Sequence, residues 1–249
     1  MLDTAPFSAQ DVEWEVVGYE GDGFGRVWRM NDDLDLDDVA DELVDSGFEE
    51  ESGEGRTLSI DLGDIATEEQ YLVSMQTITL LPDEHLIVTG PLADDVLDVI
   101  EDDADSAVDD GTFENLADST DDVEVADLTR DDRACLEVER LTPEELESSG
   151  IGGLGRPEGT GFFVHGDEAD VRQVLLFEDG DAAEEDAEAR EQYLSEESSP
   201  VSGVPYTEFA EWEIDTDGEK EQIDLDYDEP RVVAAVLQRR DFVSLCPPE

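Results

Sequence analysis

The chain is 249 residues long and carries 73 acidic residues against 13 lysines and arginines, a formal net charge of −60. This charge excludes nucleic acid as a partner, because binding a polyanion requires clustered arginine and lysine. It also disfavours anionic membrane surfaces. The partners left open are hydrated inorganic cations, another protein, and a neutral or cationic ligand.

The same charge predicts adaptation to brine. In dilute buffer the carboxylates repel one another and favour an expanded chain, whereas at molar salt the Debye length is about 3 Å and most repulsion is screened. Lys220 is the only lysine, and arginine is better suited to forked pairing with carboxylates. The composition resembles that of a salt-adapted archaeal proteome, which is a likeness to a habitat and not to a protein family.

Intrinsic disorder is the usual consequence of high net charge. It is disfavoured here because hydrophobic residues make up 38% of the chain and alternate in strand-like runs. No apolar run reaches the 18 or so residues of a membrane-spanning helix. The first residues, Met1 to Pro6, have neither a basic nor an apolar region, so we expect that a signal peptide is absent or already removed.

The first predicted half, residues 12–91, follows a polar lead-in over residues 1–11. Alternating and β-branched runs predict strands, and an apolar face followed by Gly47 predicts a helix. In chain order we predict strands over 12–19 and 24–30, a helix over 37–47, strands over 56–62 and 71–81, a turn over 82–85 and a strand over 86–89. The order is β-β-α-β-β-β.

A connector is predicted over residues 92–160. Its elements are a helix over 92–108, a loop over 112–122, a strand over 134–141, a helix that begins at 142–145, and a glycine-rich loop over 150–161. Thr142 and Pro143 are typical of the N-cap and first position of a helix.

The second predicted half, residues 161–249, repeats the element order at a near-constant spacing. We predict strands over 161–165 and 171–177, a helix over 182–196, a loop over 195–205, and strands over 209–216, 231–238 and 241–246, the last two joined by a turn at 239–240. The fold prediction is therefore α+β, with two similar sheet-rich, mostly antiparallel halves joined by a helical connector.

The two cysteines, Cys135 and Cys246, lie in or beside predicted strands. Two interpretations stay open: two buried thiols that pack as small hydrophobic side chains, or one disulfide between the middle and the end of the chain. A disulfide would favour an extracytoplasmic location. The alternative location is the cytoplasm of an organism that accumulates salt.

Two aspartate runs have the 1-3-5 spacing of a calcium loop: Asp33, Asp35 and Asp37, and Asp224, Asp226 and Asp228. An EF-hand also needs glycine at position 6 and glutamate at position 12. The first run has Asp38 and Val44 there, and the second has Glu229 and Ala235. Neither is an EF-hand, and we expect at most weak cation binding by acidic loops.

Other functional motifs are weak. Residues 150–155 match G-x-G-x-x-G by letter, but a predicted helix precedes them and Arg156-Pro157 follows, which disfavours a cofactor loop. His85 and His165 are expected to be unrelated polar positions. No G-x-S-x-G elbow is present. Trp14, Trp28 and Trp212 are expected in the core, with a ligand-facing aromatic platform as the alternative. No catalytic residue and no cofactor is therefore assigned.

The sequence predicts a non-enzymatic, salt-adapted binding or assembly protein, at the cell surface or outside the cell. The support is the sheet-rich layout, since sheets offer broad faces and strand edges for contact. Two alternatives stay open: a cytoplasmic halophilic enzyme that uses carboxylates for acid–base chemistry, and a structural component of a halophilic virus.

The charge leads to a first test. In low-salt buffer we expect the melting temperature to fall, and several molar KCl or NaCl to restore it, because electrolyte screens the carboxylate repulsion. Thermal unfolding followed by circular dichroism across a salt series measures this. A melting temperature that stays flat from dilute buffer to brine would contradict the prediction.

Overall fold

The structure is a computed structural model. It describes residues 6–20, 23–51, 55–60, 76–107, 111–118, 123–131, 134, 136–137, 150–165, 170–199, 203–227, 232–233, 236, 243 and 245–246. The chain divides into two compact units, Met1–Asp105 and Ser106–Glu249. The fold is α+β, with two mostly antiparallel sheets of six and five strands and, in the described part of the chain, four α-helices.

The first unit contains a six-stranded antiparallel sheet and two helices. In chain order these are β1 (Val12–Glu20), β2 (Gly23–Met30), α1 (Leu36–Asp45), β3 (Glu49–Glu51), β4 (Arg56–Ser59), β5 (Thr77–Leu81), β6 (Leu86–Thr89) and α2 (Ala93–Ile100). The strand order is β1-β2-β6-β5-β4-β3. The two edge strands of this sheet are therefore β1 and β3.

Helix α1 forms because its polar and apolar positions separate by face. Asp35 is the N-cap, and its side chain accepts hydrogen bonds from the backbone N–H groups of Asp37 and Asp38. Beyond the C-cap Ser46, Gly47 has a φ of 105°, the left-handed conformation that favours glycine. The buried face packs on the sheet in one core with Phe7, Trp28, Met30, Phe48, Leu58, Ile78, Leu80 and Ile87.

Helix α2 packs on the opposite face of this sheet. Gly25 allows the close approach, since a Cβ added there would lie 2.6 Å from Cγ2 of Val96. Gly25 and the core residue Trp28 are three positions apart on β2, so they point to opposite faces. Each face of the sheet interior is thus covered by one helix.

The second unit contains the five-stranded sheet. Its elements are α3 (Gly111–Ala117), β7 (Val123–Arg130), β8 (Leu136–Glu137), β9 (Gly159–His165), β10 (Asp170–Leu176), α4 (Gly180–Glu196), β11 (Ala210–Asp217), β12 (Lys220–Tyr227) and β13 (Leu245–Cys246). The sheet order is β11-β12-β10-β9-β7, and β13 pairs separately with β8 in parallel.

The two faces of the five-stranded sheet differ. One face, which includes Phe162, Leu175 and Ile223, packs under α4 in the larger core. On the other face, Phe163, Val174 and Leu176 pack with Leu116 of α3. The same face is polar farther along the strands, where Arg172 of β10 lies opposite Asp224 of β12.

Most predicted elements are confirmed where the structure describes them. These are the strands at 12–19, 24–30, 86–89, 161–165, 171–177 and 209–216, the turn at 82–85, and the helices at 37–47 and 182–196. The helix predicted over 92–108 ends at Ile100. Strands predicted at 56–62 and 71–81 are described only at Arg56–Ser59 and Thr77–Leu81.

Two predicted elements are wrong. The loop predicted over 112–122 begins with helix α3, which buries Leu116. The strand predicted over 231–238 is helical at the described residues Val232, Val233 and Val236. Both Val233 and Val236 are buried, and their three-residue spacing places them on one helix face. The β-branched composition suggested a strand, but this helical spacing decides the local structure.

Three strands were not predicted: β3, β7 and β12. In β12 the buried positions are Glu221, Ile223, Leu225 and Tyr227, which is strict alternation. The interleaved acidic residues suggested a loop, although alternation is the stronger signal. The strand predicted over 134–141 is described only as β8, and that over 241–246 only as β13. The helix start at 142–145 and the turn at 239–240 lie outside the described residues.

The predicted repeat of a β-β-α-β-β-β order in two similar halves is not confirmed, and the predicted boundaries of the halves and connector stay a prediction. No helix in the described part of the chain is long and apolar enough to cross a membrane.

Candidate functional site

Strand β1 is an edge strand with large apolar side chains in solvent. Trp14, Val16 and Tyr19 are 45%, 56% and 66% exposed. One side of β1 pairs with β2 in antiparallel register, and no described strand pairs with its other side. An unpaired edge presents a row of backbone donors and acceptors to which another strand can add. We call the outer side of Val12–Glu20 the β1 edge.

Two acidic side chains of β1, Glu13 and Glu15, lie beside arginines of β2, although Arg29 is also paired with Asp32 at 3.0 Å. Glu15 Oε1 lies 3.1 Å from Arg26 Nε, and Glu13 Oε2 lies 3.9 Å from Arg29 Nε. The guanidinium of Arg26 also lies 5.4 Å from the centre of the Trp28 ring. These pairs are partly exposed and contribute little stability, but they leave β1 with less uncompensated charge than its sequence suggests.

The opposite edge of the same sheet is protected. Strand β3 has three residues, Glu49–Glu51, and all are exposed glutamates. A short, charged edge resists pairing with another chain. In the other sheet, edge strand β11 exposes four acids along one side, Glu211, Glu213, Asp215 and Asp217.

The remaining edge strand, β7, exposes one large apolar side chain in the described part of the chain, Val125. Both β7 and β1 have a register irregularity at their first residues, so this feature does not distinguish the two edges. Among the edges that the structure describes, β1 combines length with three exposed large apolar side chains, and it is the candidate site.

The three tryptophans have different environments. Trp28 is buried and packs edge-on against Phe7. Trp212 is partly buried against the core, and its Nε1 donates a hydrogen bond to Glu191. The prediction that all three lie in the core is wrong for Trp14, because β1 extends past the helices that cover the sheet interior. The exposed aromatic side chain lies on the candidate edge.

A second surface feature is an open groove of about 530 Å³ on the polar face of the five-stranded sheet. Arg172 spans it and donates to both carboxylate oxygens of Asp224, at 2.7 and 3.3 Å from Nε and Nη2. Glu211, Glu213, Asp170 and Asp226 also line it. The groove is acidic, and its central cation already has a carboxylate partner.

The two aspartate runs predicted to bind cations weakly lie in different kinds of element. Asp35 caps α1, and Asp37 lies in the first turn of that helix. Asp224 and Asp226 lie within β12 and not in a loop, and Asp228 lies outside the described residues. In the described part of the chain, no three His, Cys, Asp or Glu side chains are grouped as metal ligands. Weak cation binding stays a prediction.

The two histidines occupy different settings. His85 lies in the β5–β6 turn with a φ of 53°, and its backbone carbonyl accepts a hydrogen bond from Met30 N–H. His165 ends β9 and lines the groove. One belongs to the first unit and the other to the second.

The core of the second unit contains a buried polar cluster that sequence reasoning missed. Asp186 and Arg190 of α4 form an ion pair with Oδ2 at 2.7 Å from Nη2, and Glu221 of β12 lies 3.3 Å from Arg190 Nε. All three side chains have no exposed surface. Burying two carboxylates with one guanidinium is costly unless one carboxylate is neutral.

Desolvation raises the pKa of Glu221 from an ordinary 4.5 to about 9. Arg190 attracts the ionised form and opposes this shift, whereas Asp186 raises the pKa further by hydrogen bonding and by charge repulsion. Glu221 is therefore protonated at neutral pH, and the cluster carries no net charge.

The cluster also holds distant segments of the unit. Arg190 Nη1 donates to the backbone carbonyls of Val243 and Leu245, next to Cys246. The N–H of Gly155 donates to Asp186 Oδ1. The glycine-rich segment 150–155 is therefore held by a structural contact. It contains a short 3-10 turn at Ile151–Gly153, whereas a dinucleotide fingerprint needs an α-helix to begin there. The sequence signal for this cluster is Glu221, because the alternation of β12 assigns this acidic residue to the buried face of the strand.

Cys246 is fully buried in β13 and disulfide-bonded. Cys135, the only other cysteine in the sequence, lies outside the described residues. The paired strands β8 and β13 place Leu136, the neighbour of Cys135, opposite Leu245. This pairing is compatible with the predicted bridge.

No protein-family model, curated protein or solved structure matches this chain.

The buried cluster leads to a pH prediction. Between pH 4.5 and about 9, Glu221 is protonated in the folded chain and ionised in the unfolded chain, so the free energy of unfolding falls as pH rises. The Glu221→Gln variant lacks this titration. We expect the stability of the variant relative to wild type to increase by up to about 1.4 kcal/mol per pH unit over that window.

Chemical denaturation in molar KCl at several pH values measures the difference. Glu211→Gln, at an exposed position of β11, is the matched control and should follow wild type. Parallel pH profiles for wild type and Glu221→Gln would show that Glu221 is ionised in the folded protein.

Proposed function

We propose that this chain is a non-enzymatic, salt-adapted binding or assembly protein, and that the β1 edge is its contact surface. The observation that carries the proposal is the exposure of Trp14, Val16 and Tyr19 on an edge strand without a described partner strand. The other edge strand of the same sheet, β3, is short and wholly acidic, so it resists pairing with another strand whereas β1 does not.

The chemistry of strand addition suits a protein of brine. Concentrated salt screens ionic contacts between surfaces, so a partner has to be held by interactions that survive screening. Backbone hydrogen bonds along an added strand and burial of apolar side chains are of that kind. The β1 edge offers both within nine residues.

In the part of the chain that the structure describes, no arrangement of side chains supports the enzyme alternative. The carboxylate with a raised pKa, Glu221, has no exposed surface and lies outside the groove. A catalytic acid or base has to lie within hydrogen-bonding reach of substrate. The position of Glu221 favours a structural role, which leaves association as the better supported function.

We further propose an extracytoplasmic location and a Cys135–Cys246 bridge. The support is the bonded state of Cys246, since disulfides persist mainly in oxidising compartments. A structural role in a halophilic virus would use the same contact edge, and no separate observation favours it.

The repeat of two similar halves is also a proposal. Its support is a shared pairing rule: the second strand of the opening hairpin pairs with the second strand of a hairpin that follows the helix. These pairs are β2 with β6 in the first unit and β10 with β12 in the second.

The bridge proposal predicts that the chain has no free thiol. Thiol titration of the denatured chain without reductant should detect none, and reduction before titration should reveal two per chain. Two thiols detected before reduction would contradict the bridge and remove the support for an exterior location.

The contact edge predicts position-specific crosslinking in cells grown at molar salt. A photoreactive benzophenone amino acid at Val16 should form covalent adducts of defined mass. The same residue at Val44, which is exposed on α1 of the same unit, should form few. Adding Trp14→Asp to the Val16 variant should reduce the adducts, because it places a charge in the apolar contact.

The adducts are resolved by gel electrophoresis and identified by mass spectrometry. Equal labelling from Val16 and Val44, or none from either, would contradict a contact function for β1.

A further inference from the structure

We infer that the partner of the β1 edge is the β1 edge of a second copy of this chain, paired antiparallel about a twofold axis at Val16. This inference depends on the proposed contact function of β1. It identifies the molecule that pairs with β1, which the proposed function does not specify.

The length of the strand selects the register. β1 runs from Val12 to Glu20, and antiparallel self-pairing about its midpoint places Val16 opposite Val16 of the second copy and keeps the regular residues Trp14–Gly18 in contact. In this register Trp14 lies opposite Gly18, and Glu15 lies opposite Val17. A twofold axis perpendicular to the sheet keeps each side chain on its own face, so the two six-stranded sheets become continuous.

The register also keeps acidic side chains apart. Glu15 lies opposite Val17 and so does not face a glutamate, and Glu13 lies in the register irregularity at the start of the strand. Sliding the strands by two residues toward the N-terminus would place Glu15 opposite Glu15, and like charges directly opposite destabilise a sheet. Each of these glutamates also has an arginine of β2 beside it within its own chain.

Gly18 provides room for the indole of the second copy. A Cβ added at Gly18 would meet no atom within 4 Å, so packing within the chain does not require glycine there. Glycine in a strand is otherwise unfavourable, and an aromatic side chain placed across from it compensates. Trp14 of the second copy occupies that position in the Val16-centred register.

The strand is regular where the contact forms. The one register irregularity of β1 lies between Val12 and Trp14, outside the central residues from Trp14 to Gly18. A twofold contact uses up the β1 edge of both copies and therefore stops at a dimer. The acidic β3 edges at the far ends of the joined sheet oppose further growth.

Sedimentation equilibrium of the full chain in 3 M KCl tests the dimer directly. Wild type should dimerise reversibly, and Gly18→Glu should raise the dimer dissociation constant about tenfold or more, because the Trp14 contact occurs twice per dimer. Gly153→Glu adds the same charge at an open glycine of the second unit and should leave the constant unchanged. A wild type that stays monomeric, or equal effects of both variants, would overturn the inference.

Cysteine pairing tests the register. Val16–Val16 and Glu15–Val17 are successive cross-strand pairs, so one of them is the closer, non-hydrogen-bonded pair. Under mild oxidation we expect disulfide-linked dimers from Val16→Cys alone, or from a mixture of Glu15→Cys and Val17→Cys. Linked dimers from Glu15→Cys alone or Val17→Cys alone, or from none of these samples, would overturn the register.

The two proposals fail in different ways. A monomer in sedimentation, together with Val16 photo-adducts that contain another protein, overturns the self-pairing and leaves the contact function standing. A monomer without position-specific adducts overturns both.

Discussion

Repulsion among carboxylates is the constraint on which the rest of this structure depends. With a net charge of −60, each element has to place its acids in water or beside an arginine. Arg56 is in ion-pair contact with Asp37, Asp41 and Glu50 at once. Acids in the first turns of α1 and α2 face the positive ends of the helix dipoles. Apart from the Asp186–Arg190–Glu221 cluster, the described interior consists mainly of apolar side chains, which form separate cores.

The buried cluster shows the same constraint inside the protein. Asp186 and Arg190 balance one another, and no second cation is paired with Glu221 among the described residues. Desolvation therefore keeps Glu221 protonated, with a pKa of about 9. This neutral acid lets α4 and β12 approach each other, while Arg190 binds the carbonyls of the C-terminal segment. Sequence inspection could not find the cluster, because its members are ordinary residues in a chain full of acids.

The surface that we propose for contact with other molecules is the edge at which large apolar side chains are exposed. Acidic residues protect β3 and β11, and the described part of β7 exposes one large apolar side chain, Val125. β1 lacks comparable protection, since its two central glutamates are paired with arginines of β2. Salt screening weakens polar attraction between proteins, which leaves strand addition and apolar burial as the means of association that we propose for this edge.

The sequence by itself determined the α+β class, most strands and the two longer helices, because alternation and three-to-four-residue spacing reflect burial directly. It misplaced 231–238 and missed β12, where valine content and acidic side chains masked the spacing of the buried positions. Only the tertiary structure decided that Trp14 is exposed while Trp28 is buried, and that Glu221 lies beside Asp186 and Arg190. Strand order and helix placement set both outcomes, and these depend on contacts between residues far apart in the chain, which local patterns do not encode.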